Sequence, residues 1–492
     1  MSEILFQYHA VHLSTWIYLS SLLMIGLFFK FNRFWSVRNL DLVLLIAISP
    51  GLLLVQYGQD IRETNHVEMS HVAKVLDGTA QPFPPSVDRA VEVERLGYYW
   101  CFVVGAVLLA RLLFDPTMVR RPLLEPNLTT GGLAFIGCSL FLFLMANVVT
   151  NRTASFDPPI PEQANVVHVA EASSDAIPDL HDLRRHGPGY AVLKLAMRNI
   201  AEGNKTPYVV AAKTVAILSH LAVVLGLVLI GYRQFENTRT GIGVAALYLM
   251  MPYTAITTAR IDHVVPAALL VWAILSYRRP VWAGLFLGLA AGIVYYPFFL
   301  LPLWASFYWR RGIRRFMTSF GSMLILLVCA QFFMSRDWNS FNSSLVEMFG
   351  IWLPRYESLE GIWGLGWSPV YRLPILVLFF ALSGTLAIWP AQKNLGTLIG
   401  CSAAVMLATQ FWHGYGGGIF VGWYLPLLLL TIFRPNLEDR VAVTVLGDSW
   451  WFKRLTRDHW LAQPRRNRKQ GTRDVPNRRH DPRRKPGSNQ MR

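Results

Sequence analysis

The chain is built of apolar runs about as long as a bilayer is thick, and nothing constrains its fold more. A hydrocarbon core of roughly 30 Å takes about 20 apolar residues as helix. Runs of that kind recur near 13–30, 39–57, 97–114, 131–150, 209–232, 241–257, 263–277, 317–334, 372–389, 396–412 and 419–433. A backbone in lipid must satisfy its own polar groups, so helices are the expected answer. Of the 492 residues 53% are hydrophobic and only 15% charged, against about 25% charged in soluble domains. Such a chain is neither a soluble globule nor a disordered segment. The reading is an all-α polytopic membrane protein with a transmembrane domain over 1–433.

One apolar stretch is longer than a span. Residues 281–308 read VWAGLFLGLAAGIVYYPFFLLPLWASFY, with Arg278 and Arg279 before them and Arg310, Arg311, Arg314 and Arg315 after. Short loops rich in Lys and Arg stay cytoplasmic, so both flanks want one side. A hairpin of two short helices, broken at Tyr295-Tyr296-Pro297, meets that demand, because proline removes a backbone donor and clashes with the preceding turn. Counting it as two gives about 13 segments, with the N-terminus outside and the C-terminus in the cytoplasm of a bacterial inner membrane. The basic short loops (Arg33/Arg38, Arg120/Arg121, Arg233/Arg239, Arg278/Arg279, Lys393) then fall inside. Two long loops, 58–96 and 151–208, fall outside, together with a third connection over 335–371.

The net charge of +16 belongs largely to the end of the chain. Residues 434–492 hold 16 Lys+Arg and 6 Asp+Glu. This cytoplasmic tail is expected to be disordered from about residue 462, since it lacks the apolar surface to offset its ordering entropy. Its natural partner is the anionic head groups of the bilayer, with RNA or a protein as the alternative. No specific nucleic acid is expected to bind the body of the chain. Four cysteines, Cys101, Cys138, Cys329 and Cys401, lie in apolar runs without C-x-x-C spacing. They are expected to be buried packing residues rather than disulfides or zinc ligands. No cofactor is called for, and a divalent cation is not indicated.

Chemistry has few places to reside. There is no Walker A loop, no H-E-x-x-H and no G-x-S-x-G. Asp41, Lys213 and Arg111 fall near the ends of spans, leaving no mid-membrane carboxylate of the kind ion-coupled transporters use. What remains is polar chemistry at the outer mouth. Asp60 lies in GQDIRE just after the second span, followed by VEMSHVAKVLDG, whose Val67, His71, Val72, Val75 and Leu76 have helical spacing, and by the turn GTAQPFPPS. A second polar turn is Arg260-Ile261-Asp262-His263. It reads either as an Arg260–Asp262 pair or cap, or as a corner where Asp262 or His263 orients a hydroxyl or phosphate. Polar groups in a tight apolar turn cost free energy unless paired.

The run from Leu247 to Gly312 resembles the middle of GT-C-type integral membrane glycosyltransferases that use polyprenyl-phosphate sugars. The matching features are Pro252 at a helix end, the Asp262-His263 turn, the block R-R-P-x-x-A-G-L-x-x-G-L-A-A-G from Arg278 to Gly292, and the following Tyr-Tyr-Pro. Val294 stands where those families often carry lysine, and an extra span precedes the loop with Asp60. The resemblance implies sugar transfer on the extracytoplasmic face from a polyprenyl-phosphate donor. Asp60 would be general base on the acceptor hydroxyl, with Arg260, Arg336 and Arg355 as candidates to hold the lipid phosphate. Asp262 and His263 would serve substrate binding, in one outer cavity with Asp60. The Trp-rich loop between Arg336 and Pro369 supplies either sugar-facing rings or interfacial anchors. The alternatives are a lipid or sugar transporter or flippase, and a non-enzymatic membrane scaffold.

Overall fold

The computed structural model describes residues 13–117, 126–150, 186–200, 205–435 and 437, apart from positions 66, 68–71, 73–74, 77, 79–80, 310, 336–337, 340, 343–344, 346–358 and 392. Among the described residues there are helices and turns but no strand; Glu360 and Tyr415 pair in an isolated bridge.

The helices are α1 (Leu13–Phe28), α2 (Val37–Thr64), α3 (Pro85–Leu113), α4 (Thr130–Thr150), α5 (Pro188–Ile200), α6 (Lys205–Arg233), α7 (Thr238–Met250) and α8 (Pro252–Ile256). There follow α9 (Ile261–Leu275), α10 (Pro280–Ile293), α11 (Leu301–Phe307), α12 (Ile313–Met334), α13 (Arg372–Ile388), α14 (Leu395–Trp412) and α15 (Leu425–Phe433). Among the described residues, 7 helices are long and apolar enough to cross a membrane, and the shorter Ser14–Phe28, Ile261–Leu275, Pro280–Ile293 and Tyr296–Phe307 are also apolar. The protein is a membrane-embedded helical bundle.

Local sequence sets several boundaries. Proline occupies the first turn of α3, α10 and α15, where its missing N–H costs nothing. Asn394 and Thr397 form a reciprocal capping box at the start of α14, and the Asn237 side chain accepts from Thr240 N–H at α7. Pro252 ends the apolar run expected over 241–257 as one helix, splitting it into α7 and α8. In the run expected over 419–433, helix is confined to α15 and a 3-10 turn at Val421–Trp423.

The stretch 281–308 divides as its prolines and charges require. α10 stops at Ile293, a 3-10 turn covers Tyr296–Leu300, and α11 returns. The return is visible in contacts between the two ends. The Tyr308 hydroxyl donates to the Tyr277 carbonyl at 2.5 Å, and Gly312, with φ 91°, lies against Pro280. Both basic flanks are therefore at one end of the bundle. The GLFLGLAAG block lets α10 press onto α12: a Cβ on Gly284 would lie 2.6 Å from the Phe316 carbonyl and one on Gly288 2.9 Å from that of Phe320. Small residues at such crossings let membrane helices approach closely.

That same end gathers the other short loops. Lys30 donates to Asn127 at 2.8 Å, and Arg239 caps the carbonyls of Pro126 and Leu128 at 2.9 and 2.8 Å. Arg111 forks onto Asp41 at 2.8 and 3.0 Å and reaches Asp115 at 2.9 Å, and Asp115 also accepts from Arg434 at 2.5 Å. Asp41 and Arg111, expected simply near the ends of spans, are the centre of a charge network in which the two aspartates are buried and Arg111 partly so.

Three further expectations change. α2 continues through Thr64 and α3 begins at Pro85, so Asp60 lies on a helix rather than in the loop expected over 58–96. Gly58 and Gly97 explain the extension, since they let α2 and α3 pack so tightly that a Cβ on Gly58 would lie 2.7 Å from the Ala90 carbonyl. Cys101 and Cys401 are buried as expected, but Cys138 and Cys329 are exposed. They lie on the surface of membrane helices, where lipid rather than protein meets an apolar side chain. The third concerns the Trp-rich loop. Leu359, Ile362, Trp363 and Leu365 form a second core with Val55, Val72, Val91 and Tyr98. Trp363, 3% exposed, is a core residue and not an interfacial anchor. The tail expected to be disordered from about 462 lies outside the described residues.

Candidate functional site

At the opposite end from the basic loops, a buried polar cluster forms where α9 begins. Arg260 is extended at the N-cap and Asp262 falls in the first turn, where a negative charge is favoured by the helix dipole. The guanidinium grips Asp262 through Nη2 at 2.9 Å and Nε at 3.3 Å. The Asp262 side chain is 2% exposed and that of Arg260 28%. The pair expected as one reading of this turn is thus formed, and its Nη1 end has no acceptor among the described residues.

Two histidines complete the cluster. His186 Nε2 is 3.9 Å from Asp262 Oδ2, and His263 Nε2 is 3.5 Å from it. The His263 ring is buried, its Nδ1 is hydrogen-bonded with the Tyr253 hydroxyl, and its Nε2 makes no hydrogen bond among the described residues. His186 escaped the sequence reading. The signal available was the local run His186-Gly187-Pro188-Gly189: both glycines press against the end of α10, and Gly187 N–H donates to the Ile293 carbonyl at 2.8 Å. That contact carries His186, stacked 3.8 Å from Tyr190, to Asp262.

A column of rings extends the site. His263 stacks on Phe420 at 4.7 Å, Phe420 on Trp423 at 4.4 Å, and Trp423 on Tyr296 at 5.1 Å. The Tyr296 hydroxyl is hydrogen-bonded with His413 Nδ1 at 2.8 Å. Trp423 Nε1–H donates to the Asp262 carbonyl at 3.0 Å, locking the column to the ion pair. Of these rings His263 stands out in the sequence as a site candidate and Tyr296 as part of the hairpin break, whereas Phe420, Trp423 and His413 read as ordinary span residues.

Asp60 has a different setting. It is exposed, one residue after Gln59, whose amide donates to the Tyr98 hydroxyl at 3.3 Å. Nearby Arg62 is spent on Glu94 at 3.3 Å and on the Val67 carbonyl at 3.1 Å. Among the described residues nothing pairs with the Asp60 carboxylate, and it touches no member of the Asp262 cluster. The two are linked through packed residues: Tyr98 lies against Gly361, Gly361 against Gly416, Gly416 against Phe420, and Phe420 against His263. Arg336 and Arg355, expected to hold a lipid phosphate, lie outside the described residues. Among the described residues no group of three or more His, Cys, Asp or Glu side chains is placed to hold a metal ion. No family model matches this chain, and no curated protein or solved structure matches it either.

Proposed function

We propose that the chain is a GT-C-like membrane glycosyltransferase that moves a sugar from a polyprenyl-phosphate donor to an acceptor hydroxyl, with Asp60 as general base. One observation carries the reading. The buried acids Asp41, Glu94, Asp115 and Asp262 are each committed to an arginine, whereas the exposed Asp60 carboxylate is left without a partner among the described residues. A base must be free to take a proton, and Arg62, the cation nearest in sequence, is already neutralised by Glu94. Arg260, oriented by Asp262 and partly open, is the donor-phosphate candidate. Because its charge is matched by Asp262, it would orient the phosphate through its free Nη1 edge rather than neutralise it.

The topology proposed with it has 13 passes, the N-terminus outside and the basic loops in the cytoplasm. It rests on the clustering of Arg233, Arg239, Arg278, Arg279 and Arg311 at one end, and on the positive-inside rule. Asp60 and Arg260 then face the extracytoplasmic side, where lipid-linked sugars would be presented.

The test is transfer of radiolabelled sugar from a panel of polyprenyl-phosphate donors by the full chain in proteoliposomes. Asp60→Asn should reduce transfer by about 10²–10⁴-fold, the usual worth of a general base, with unchanged insertion. Full activity of that variant would refute the assignment. Near-complete burial of Asp262 and His263 favours a second reading, in which their cluster is a folding lock and the chain a membrane scaffold. Wild-type protein inactive with every donor and acceptor would favour it.

A further inference from the structure

A concavity lies at the end of the bundle that carries the basic loops, where the span Val209–Arg233 ends. It has a volume of about 860 Å³ and is walled by Arg233, Gln234, Trp272, Arg278, Arg279 and Trp282. Arg233 ends α6 and Gln234 follows it; Trp272 is in the last turn of α9, Arg278 and Arg279 lie in the α9–α10 turn, and Trp282 is in the first turn of α10.

Its arginines differ from those elsewhere. Arg62, Arg111, Arg260 and Arg434 are paired with carboxylates, and Arg239 is spent on carbonyls. Arg233 and Arg279 are exposed and have no acceptor among the described residues. Arg278 gives only Nε to the Tyr277 hydroxyl at 3.1 Å, with its guanidinium 5.7 Å from that ring. One carboxylate, Glu236, shares the wall, leaving the basin cationic. Its apolar side is fixed: Trp272 Nε1–H donates to the Ala222 carbonyl at 3.0 Å, which holds the indole face in place. Trp282 is 50% exposed. A third observation points to a ligand. Gln234 is 5% exposed and its Oε1 has no hydrogen-bond partner among the described residues. The only hydrogen bond of its side chain among the described residues is a long one, from Nε2 to the Leu275 carbonyl at 3.4 Å, and the residue lines the basin.

We propose that this basin binds an anionic phospholipid with a hydroxylated head group, of the phosphatidylglycerol class, from the leaflet that faces the basic loops. The phosphodiester would sit between Arg233, Arg278 and Arg279, as basic pockets between membrane helices receive anionic head groups. An acyl chain would lie along Trp272 and Trp282, since tryptophan is suited to the interface between head group and hydrocarbon. A glycerol hydroxyl supplies the donor that Gln234 Oε1 lacks. A zwitterionic head group would bring an ammonium into a field of three arginines, which disfavours it.

The experiment is native mass spectrometry of the delipidated full chain titrated with phosphatidylglycerol, phosphatidic acid or phosphatidylcholine. Phosphatidylglycerol should bind at least tenfold more tightly than phosphatidylcholine. Arg233→Gln and Arg279→Gln should each weaken it about fivefold, and the pair about 25-fold, from about 1 kcal/mol per basic residue. Gln234→Leu should reduce the preference for phosphatidylglycerol over phosphatidic acid. The exposed Arg89→Gln, on α3, should change nothing. The basic tail is present in every variant, so the differences report on the basin. Equal binding of the charged and zwitterionic lipids, or a double variant with wild-type preference, overturns the proposal. Displacement by millimolar inorganic phosphate would also overturn it, by making this a site for free anions. Should the double variant fail to fold, Trp282→Ala still decides: weakened binding supports the site and wild-type binding refutes it.

Discussion

Asp115→Asn should unfold this protein more readily than any change on its surface, by about 3–5 kcal/mol. Asp115 is 1% exposed and accepts from Arg111 at 2.9 Å and from Arg434 at 2.5 Å. Each charge-assisted bond contributes about 1.5–3 kcal/mol, and an asparagine oxygen keeps part of one of them. Arg111 retains its fork onto Asp41. Arg434 does not have that reserve. Its side chain is 7% exposed, its Nε already lacks a partner among the described residues, and a Cβ on Gly396 would lie 2.7 Å from its guanidinium carbon. Burial, reinforced by the positive charge of Arg111, holds its pKa down to about 10. It therefore stays charged at neutral pH and is left buried and unpaired by the substitution. The cost should fall on the docking of α15 against α3 and α14. The assay is SDS-driven unfolding in mixed micelles, with a double-mutant cycle adding Arg434→Met. Removing both partners should cost less than the sum of the two single changes, with a coupling of about 0.5–3 kcal/mol. A single variant within about 1 kcal/mol of wild type, or additive effects, would refute the claim that this pair is structurally coupled.

Gly288→Leu should prevent α10 from packing on α12 and abolish folded protein on size exclusion, whereas Gly384→Leu, with nothing within 4 Å of its Cβ position, should fold normally. Trp363→Ala should cost about 3–5 kcal/mol in the same SDS titration, the usual loss for a buried indole, and should loosen the cap over Tyr98 more than the rest of the bundle. Reporter fusions after Ser36 should read cytoplasmic and those after Asp175 extracytoplasmic; the opposite outcome at either position would break the proposed topology.

The apolar runs and their charge flanks were enough to specify a helical membrane protein. They also located the break before Pro297 and put Arg278 and Arg311 at the same end, because the free energy of moving a residue from water depends on that residue and its neighbours along the chain. Hydropathy does not distinguish burial in lipid from burial in protein. Cys138 and Cys401 sit in equally apolar runs, yet one faces outward and the other inward. The same blindness hid Trp363, which reads as a sugar-facing ring or an anchor and is core. The extension of α2 past Asp60 was set by the tight glycine contacts with α3, which no local pattern around Asp60 records. The Arg260–Asp262 pair was legible because its members are two residues apart. His186, Tyr253, Phe420 and Trp423 were not, since only the packing of α5, α8, α9 and α15 brings them around it. An ion pair or ring stack between distant segments depends on which helix faces meet, and that is decided by the side-chain shapes of the whole bundle.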